Sequence, residues 1–229
     1  MILRHYDFEN VMDFSETNIY SLVFEDKNYM YRIVKELSSQ IDGNNGNFFL
    51  TKELEEINIS SNVYMLTDFF NLDFNSKPIN NAILKNVQKV AIECDGKLSF
   101  EEVKIKINDY VKEILYEIDF PLTYEELDVE QLFKHINLKL NYENKSFVEE
   151  LCSYLSLINQ LFKIEVFVLV GAKNLLDSEA YNQFCTFAEY NDYKLVFVDS
   201  MDKKVKYKSE NKIEIDSDKC EFLTQSKKI

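Results

Sequence analysis

The hydrophobic pattern changes period three times along the chain. Residues 2–8 alternate polar and apolar, and IYSLVFE (19–25) is a largely apolar run, so both read as strands. Asp26 then precedes apolar positions Met30, Ile33, Val34, Leu37 and Ile41, which share one helical face. DGNNG (42–46) is a turn signal. Short strand-like pieces follow at 47–50, 54–59 and 62–67. From Ser76 and Pro78 the period becomes helical as far as about Cys94. Ser99-x-x-Glu102 has the spacing of a capping box. It opens a helix whose apolar face is Val103, Ile107, Tyr110, Val111, Ile114, Leu115 and Ile118. Pro121 breaks that helix. Thr123-x-x-Glu126 has the same spacing and predicts a short helix through Leu127, Leu132, Phe133 and Ile136. Ser146-x-x-Glu149 opens a third, running to about Phe162.

Beyond Phe162 the pattern returns to strands. IEVFVLV (164–170) is continuously apolar, as expected of a strand buried on both faces. A helix over 178–190 and a second apolar strand, KLVFVD (194–199), complete a βαβ unit with parallel strands. KIEI (212–215) reads as an edge strand. The expected fold class is therefore α/β, with a mostly parallel sheet built from 1–71 and 136–229. A helical lobe, 72–135, is inserted into it. No internal repeat is visible.

Composition narrows the class. With 229 residues, 46% of them hydrophobic, the chain can build a full core, and four glycines and two prolines exclude low-complexity architectures. No apolar run nears the ~20 residues needed to span a bilayer. The acidic start MILRHYDFENVMDF is unlike a signal peptide, so the expected location is the cytoplasm. Cys94, Cys152, Cys185 and Cys220 form no C-x-x-C pair and read as reduced thiols.

The net charge of −14 disfavours indiscriminate nucleic-acid binding. A local basic site survives that argument, because exposed charges are screened beyond ~10 Å. Basic residues are almost all lysine, with only Arg4 and Arg32 besides. Lysine is a point charge suited to phosphate, whereas arginine suits bidentate base reading. Any DNA contact should therefore be to backbone.

Catalytic motifs are missing from the sequence. The junction after the first buried strand reads FEDKNYMY (24–31), with no phosphate-cradling glycine loop. The second, VGAKNLLD (170–177), offers Lys173 as a weak phosphate contact against a plain strand-to-helix turn. There is no G-x-S-x-G elbow. His5 and His135, the only histidines, read as structural. The dense chemical feature is acidic: Glu113, Glu117, Asp119, Glu125, Glu126, Asp128 and Glu130 occur with no lysine or arginine among them. Such a set suits a hard cation such as Ca²⁺ if it converges around Pro121, and otherwise reads as helix-start acids on a solvated face. Lys203, Lys204, Lys206 and Lys208 form a basic cluster, as do Lys134 and Lys139.

Four stretches resemble a known family: IYSLVFEDKNYMYRIVKEL (19–37), VYMLTDFFNLDFNSKPI (63–79), LTYEELDVEQLFKHINLKL (122–140) and FKIEVFVLVGAKNLLDSEAYNQF (162–184). Their order and spacing resemble the small accessory protein of type II-A CRISPR adaptation, over roughly residues 15–200. The resemblance implies an α/β head related to P-loop ATPases but without their nucleotide site, and a helical leg lobe. It implies a homotetrameric ring that takes double-stranded DNA, especially free ends, through a lysine-lined hole. It also implies bound Ca²⁺, a supporting role in spacer acquisition, and work beside the adaptation integrase and the guide-directed effector nuclease. No enzymatic activity is implied.

Carried onto this chain, the calcium ligands fall at Glu117, Asp119, Glu125, Glu126 and Asp128. Pro121 and Thr123 stand where the family pattern would place acids. The candidate DNA-contacting lysines are Lys27, Lys52, Lys134 and Lys139. Two other readings compete: a metal-dependent nuclease using the acidic cluster, and a protein-only scaffold that does not touch DNA.

Overall fold

The computed structural model describes residues 1–93, 99–119, 121–142, 146–201 and 205–226. The chain divides into two compact units, one made of residues 1–72 and 144–229 and the other of residues 73–143.

The first unit carries two sheets. One is a six-stranded sheet in the order β10-β9-β3-β8-β7-β6. Its strands are β3 (Ile19–Phe24), β6 (Val63–Leu66), β7 (Val166–Val170), β8 (Lys194–Asp199), β9 (Glu210–Ile215) and β10 (Glu221–Thr224). All neighbours pair in parallel except β9 and β10. The other sheet is antiparallel, in the order β2-β1-β4-β5, from β1 (Ile2–His5), β2 (Met12–Asp13), β4 (Phe48–Lys52) and β5 (Glu55–Ile57). The expected α/β class with a mostly parallel sheet is what is observed.

The two faces of the parallel sheet are filled from different parts of the chain. Val166, Val168, Val196 and Val198 belong to a core with Ile33 and Leu37 of α1 (Lys27–Ile41) and with Leu3, Phe48 and Leu50 of the antiparallel sheet. The alternate residue Phe197 meets Tyr181 and Phe184 of α7 (Ser178–Tyr190), at ring separations of 5.1 and 6.2 Å. Strand period two divides β8 between the two layers. The short helix α2 (Ile59–Asn62) leads into β6. Helix α6 (Phe147–Phe162) buries Leu151, Tyr154, Leu155 and Ile158. It starts at the predicted capping box: the Ser146 N–H donates to Glu149 at 3.0 Å, and the Glu149 N–H donates to the Ser146 hydroxyl at 3.4 Å.

One strand reading needs correction. KIEI is not at an edge: β10 pairs outside β9, with Phe222 opposite Glu214. The Asp216 carboxylate accepts the Asp218 and Cys220 N–H groups at 2.9 and 2.8 Å, which closes the turn that brings β10 back.

The second unit is helical, with α3 (Lys77–Glu93), α4 (Phe100–Tyr116) and α5 (Val129–Ile136). Helix α3 packs on α5. The unit's ends are clamped together: the Leu140 N–H donates to the Asn75 side chain at 2.8 Å, and the Phe74 and Tyr142 rings stack at 4.0 Å. The predicted box at Ser99 and Glu102 forms, with bonds of 2.9 and 3.3 Å. The box at Thr123 and Glu126 does not. Residues 121–128 have no helix, and α5 begins at Val129 with Asp128 as its cap.

Candidate functional site

The carboxyl ends of parallel strands are where open α/β sheets usually bind ligands. Two strand-to-helix junctions reach that edge here. After β3, the Asp26 carboxylate accepts the Asn28 N–H at 2.8 Å, and the Glu25 carboxylate accepts the Ser217 N–H at 2.8 Å. A phosphate cradle needs free N–H groups at a helix N-terminus. Here that position already holds a carboxylate, which takes one of those N–H groups and repels an anion.

After β7, Gly171 takes a left-handed conformation (φ 81°) and a 3-10 turn, Ala172–Asn174, follows. Of the two readings of this junction, the plain turn is the one observed, and Lys173 is not free for phosphate. Its ammonium turns inward and bonds the Glu210 carboxylate, with both side chains 5% exposed. It lies 5.0 Å from the Tyr181 ring centre and 5.3 Å from that of Phe197. Glu210 also accepts the Tyr181 hydroxyl at 3.0 Å, the Tyr207 N–H at 3.1 Å and the Ser21 hydroxyl. Every polar group in this cluster is engaged, so Lys173 is structural. Burial pushes the Tyr181 hydroxyl and the Cys185 thiol upward, and pushes the Cys152 thiol to about 12. These groups remain protonated at neutral pH and are poor nucleophiles.

The acidic stretch lies in the helical unit. Glu117 is the C-cap residue of α4. Asp119 and Glu125 are exposed. The Glu126 carboxylate pairs with the Lys104 ammonium at 2.8 Å, which holds Glu126 below the usual carboxylate range and raises Lys104. The Asp128 carboxylate accepts the Gln131 N–H at 2.6 Å, and Glu130 pairs with Lys134. A calcium cage needs six to eight oxygens at ~2.3–2.6 Å. Among the described residues no three such side chains gather around one point. Two of the five are already committed to a lysine and a helix cap, so the set as arranged does not fit a calcium ion.

The four candidate lysines differ in freedom. Lys27, the first residue of α1, is exposed, as is Lys139, which lies past the left-handed C-cap Asn137 of α5. The Lys52 ammonium is held by Glu165 at 2.7 and 2.9 Å, and that contact raises its pKa. Lys134 is paired along α5 with Glu130. Lys206 and Lys208 are exposed, and Lys203 and Lys204 lie outside the described residues. The two histidines differ in setting, His5 buried and His135 exposed. The His5 ring packs against Phe8 and Phe48, and its Nδ1 accepts the Asp7 N–H at 3.1 Å. His135 Nδ1 lies 2.7 Å from the Gln131 carbonyl one turn back.

Pattern reading missed one feature. It gave α4 a single apolar face, yet no residue of α4 is buried. Val103, Ile107, Val111 and Leu115 are half-covered, while Ile105, Tyr110, Ile114 and Tyr116 are exposed, Tyr116 at 88%. The signal lay in the sequence: apolar residues occur all round α4, more than one face can use.

A family model described as CRISPR-associated protein (Cas_Csn2) matches residues 40–219. No curated protein matches the chain in sequence. Among solved structures, an ATP-binding cassette in a dimeric post-hydrolysis state bound to ADP and Pi is similar at 13% identity and TM-score 0.44. It covers 100% of this chain and 97% of its own. The dimeric structure of a bacterial ABC transporter cassette is similar at 12% identity and TM-score 0.45, with the same coverage. No helix among the described residues is long and apolar enough to cross a membrane.

Proposed function

The chain belongs to the CRISPR-associated Cas_Csn2 family, and from that premise we propose that it is a non-enzymatic accessory factor of spacer acquisition in the cytoplasm. It binds double-stranded DNA, at free ends, without reading sequence, as a homotetrameric ring. It works beside the adaptation integrase and the guide-directed effector nuclease.

The observation that carries the assembly is the uncovered apolar surface of α4. Exposed Tyr110 and Ile114, one turn apart on this helix, make an apolar spot of the kind that a partner surface covers. A closed, symmetric homo-oligomer is the commonest way to cover it. A ring also reconciles DNA binding with a net charge of −14 per chain, since lysines can line an inner wall while acids face outward. The scarcity of arginine supports backbone contact over base reading. Acids at the β3–α1 junction and the inward turn of Lys173 support a role without nucleotide chemistry. No step of this reading passes through calcium, because among the described residues no three carboxylates of 113–130 gather around one point.

The test is native mass by light scattering, with and without linear duplex DNA, in calcium and then in chelator. A tetramer that retains duplex DNA, with affinity falling at a log–log salt slope of about −0.9 per neutralised phosphate, is the expected result. A monomer that retains no duplex at low salt would overturn the proposal. The calcium arm reads the cation's role directly.

A further inference from the structure

Helix α1 carries a basic and aromatic stripe along its solvent side. Lys27, Tyr31 and Lys35 follow one another at four-residue steps, and all three are exposed, Tyr31 at 66%. Arg32, one of only two arginines in the chain, stands next to Tyr31 and is also exposed. The Lys35 ammonium lies 5.7 Å from the Tyr31 ring centre. Two further cations, Arg32 and Lys219, approach the neighbouring Tyr29 ring at 4.9 and 5.1 Å.

The acids around this face are largely spent. Glu36, the only acid within α1, turns to Asn47, whose backbone and side-chain N–H groups both reach it at 2.7 Å. Asp7 pairs with Arg32 at 2.7 Å, while Asp26 and Glu25 accept backbone N–H groups. Lys27 and Lys35 have no ion pair among the described residues. In so acidic a chain, a solvent-facing helix side with free lysines and an open aromatic ring is complementary to an anion that also offers a flat face to stack on.

We propose that the outer face of α1 binds single-stranded nucleic acid, with Lys27 and Lys35 on the backbone and Tyr31 stacking on an unpaired base. Eight helical residues at ~1.5 Å each place the two lysines ~12 Å apart. That span covers three to four nucleotides of a stacked strand at ~3.4 Å each. Stacking platforms flanked by cations hold single strands without sequence preference. A duplex hides its base faces and leaves Tyr31 unused, so the unpaired strand is the better fit. The inference rests on this helix and not on the ring proposed above.

The experiment is fluorescence anisotropy of the full chain with a labelled oligothymidine strand and, in parallel, a blunt duplex. Wild type should retain the single strand at low salt. Y31A should lose about 5- to 100-fold in single-strand affinity while Y31F keeps most of it. K27A/K35A should lower the salt slope by about 1.4. Duplex affinity should be unchanged by Y31A. All three positions are exposed, and a matched circular-dichroism melt confirms that each variant is folded. A wild type that binds duplex but not the single strand overturns this inference alone. Equal single-strand affinity of Y31A and wild type also overturns it. Failure to bind either nucleic acid removes the proposed function as well.

Discussion

The Lys173 ammonium bonds the Glu210 carboxylate in the layer between the parallel sheet and α7, with both side chains almost fully enclosed. The pair ties the turn after β7 to the first residue of β9, and Tyr181 ties both to α7. It makes the lysine of the strand-to-helix turn a structural brace. Breaking one half of such a pair strands the other charge in a dry setting.

K173M and E210L should therefore each destabilise the first unit by about 3–5 kcal/mol, and the double variant should recover much of that loss. Urea unfolding of the three proteins checks this. Recovery in the double variant separates a stranded charge from lost packing.

The start of α5 supplies a second prediction. Asp128, and not Thr123, accepts the helix's free N–H. D128A should cost α5 about 1 kcal/mol, seen as faster amide exchange over 129–136. T123A should leave that exchange unchanged.

Acid should loosen the contact between α4 and the segment before α5. Lys104 lowers the pKa of Glu126. The pair's contribution is therefore full above the ordinary glutamate value of ~4.3 and is lost as pH falls through the lower folded value. An NMR titration of the Glu126 carboxyl should show the low value in wild type and a return toward the ordinary one in K104M.

Charge placed on the exposed side of α4 should disassemble the proposed oligomer. Y110E/I114E replaces two apolar positions one turn apart with acids. The expected readout is a fall in native mass by light scattering, with the far-ultraviolet spectrum unchanged. An unaltered mass would show that α4 is not the assembly face.

The local elements were legible where the information is local. The caps at Ser99 and Ser146 form as spaced, because a capping box closes between residues three apart. The buried strands at 19–24, 166–170 and 194–199 announce themselves by continuous apolar runs. Thr123-x-x-Glu126 has the same spacing as the true boxes and fails, because Lys104 draws Glu126 aside and Asp128 caps the helix in its place. Spacing is necessary for a cap, but a tertiary partner can take away one of its members.

By itself the sequence determined the α/β class, the helical insertion and most helix starts. These follow from periodicity, turn chemistry and side-chain type, which act over a few residues. Tertiary structure decided the rest. It placed KIEI inside the sheet, sent Lys173 to Glu210, and left the carboxylates of 113–130 apart and α4 uncovered. Each of those outcomes depends on a partner brought from far along the chain, or on the lack of a covering layer, and neither is encoded in local spacing.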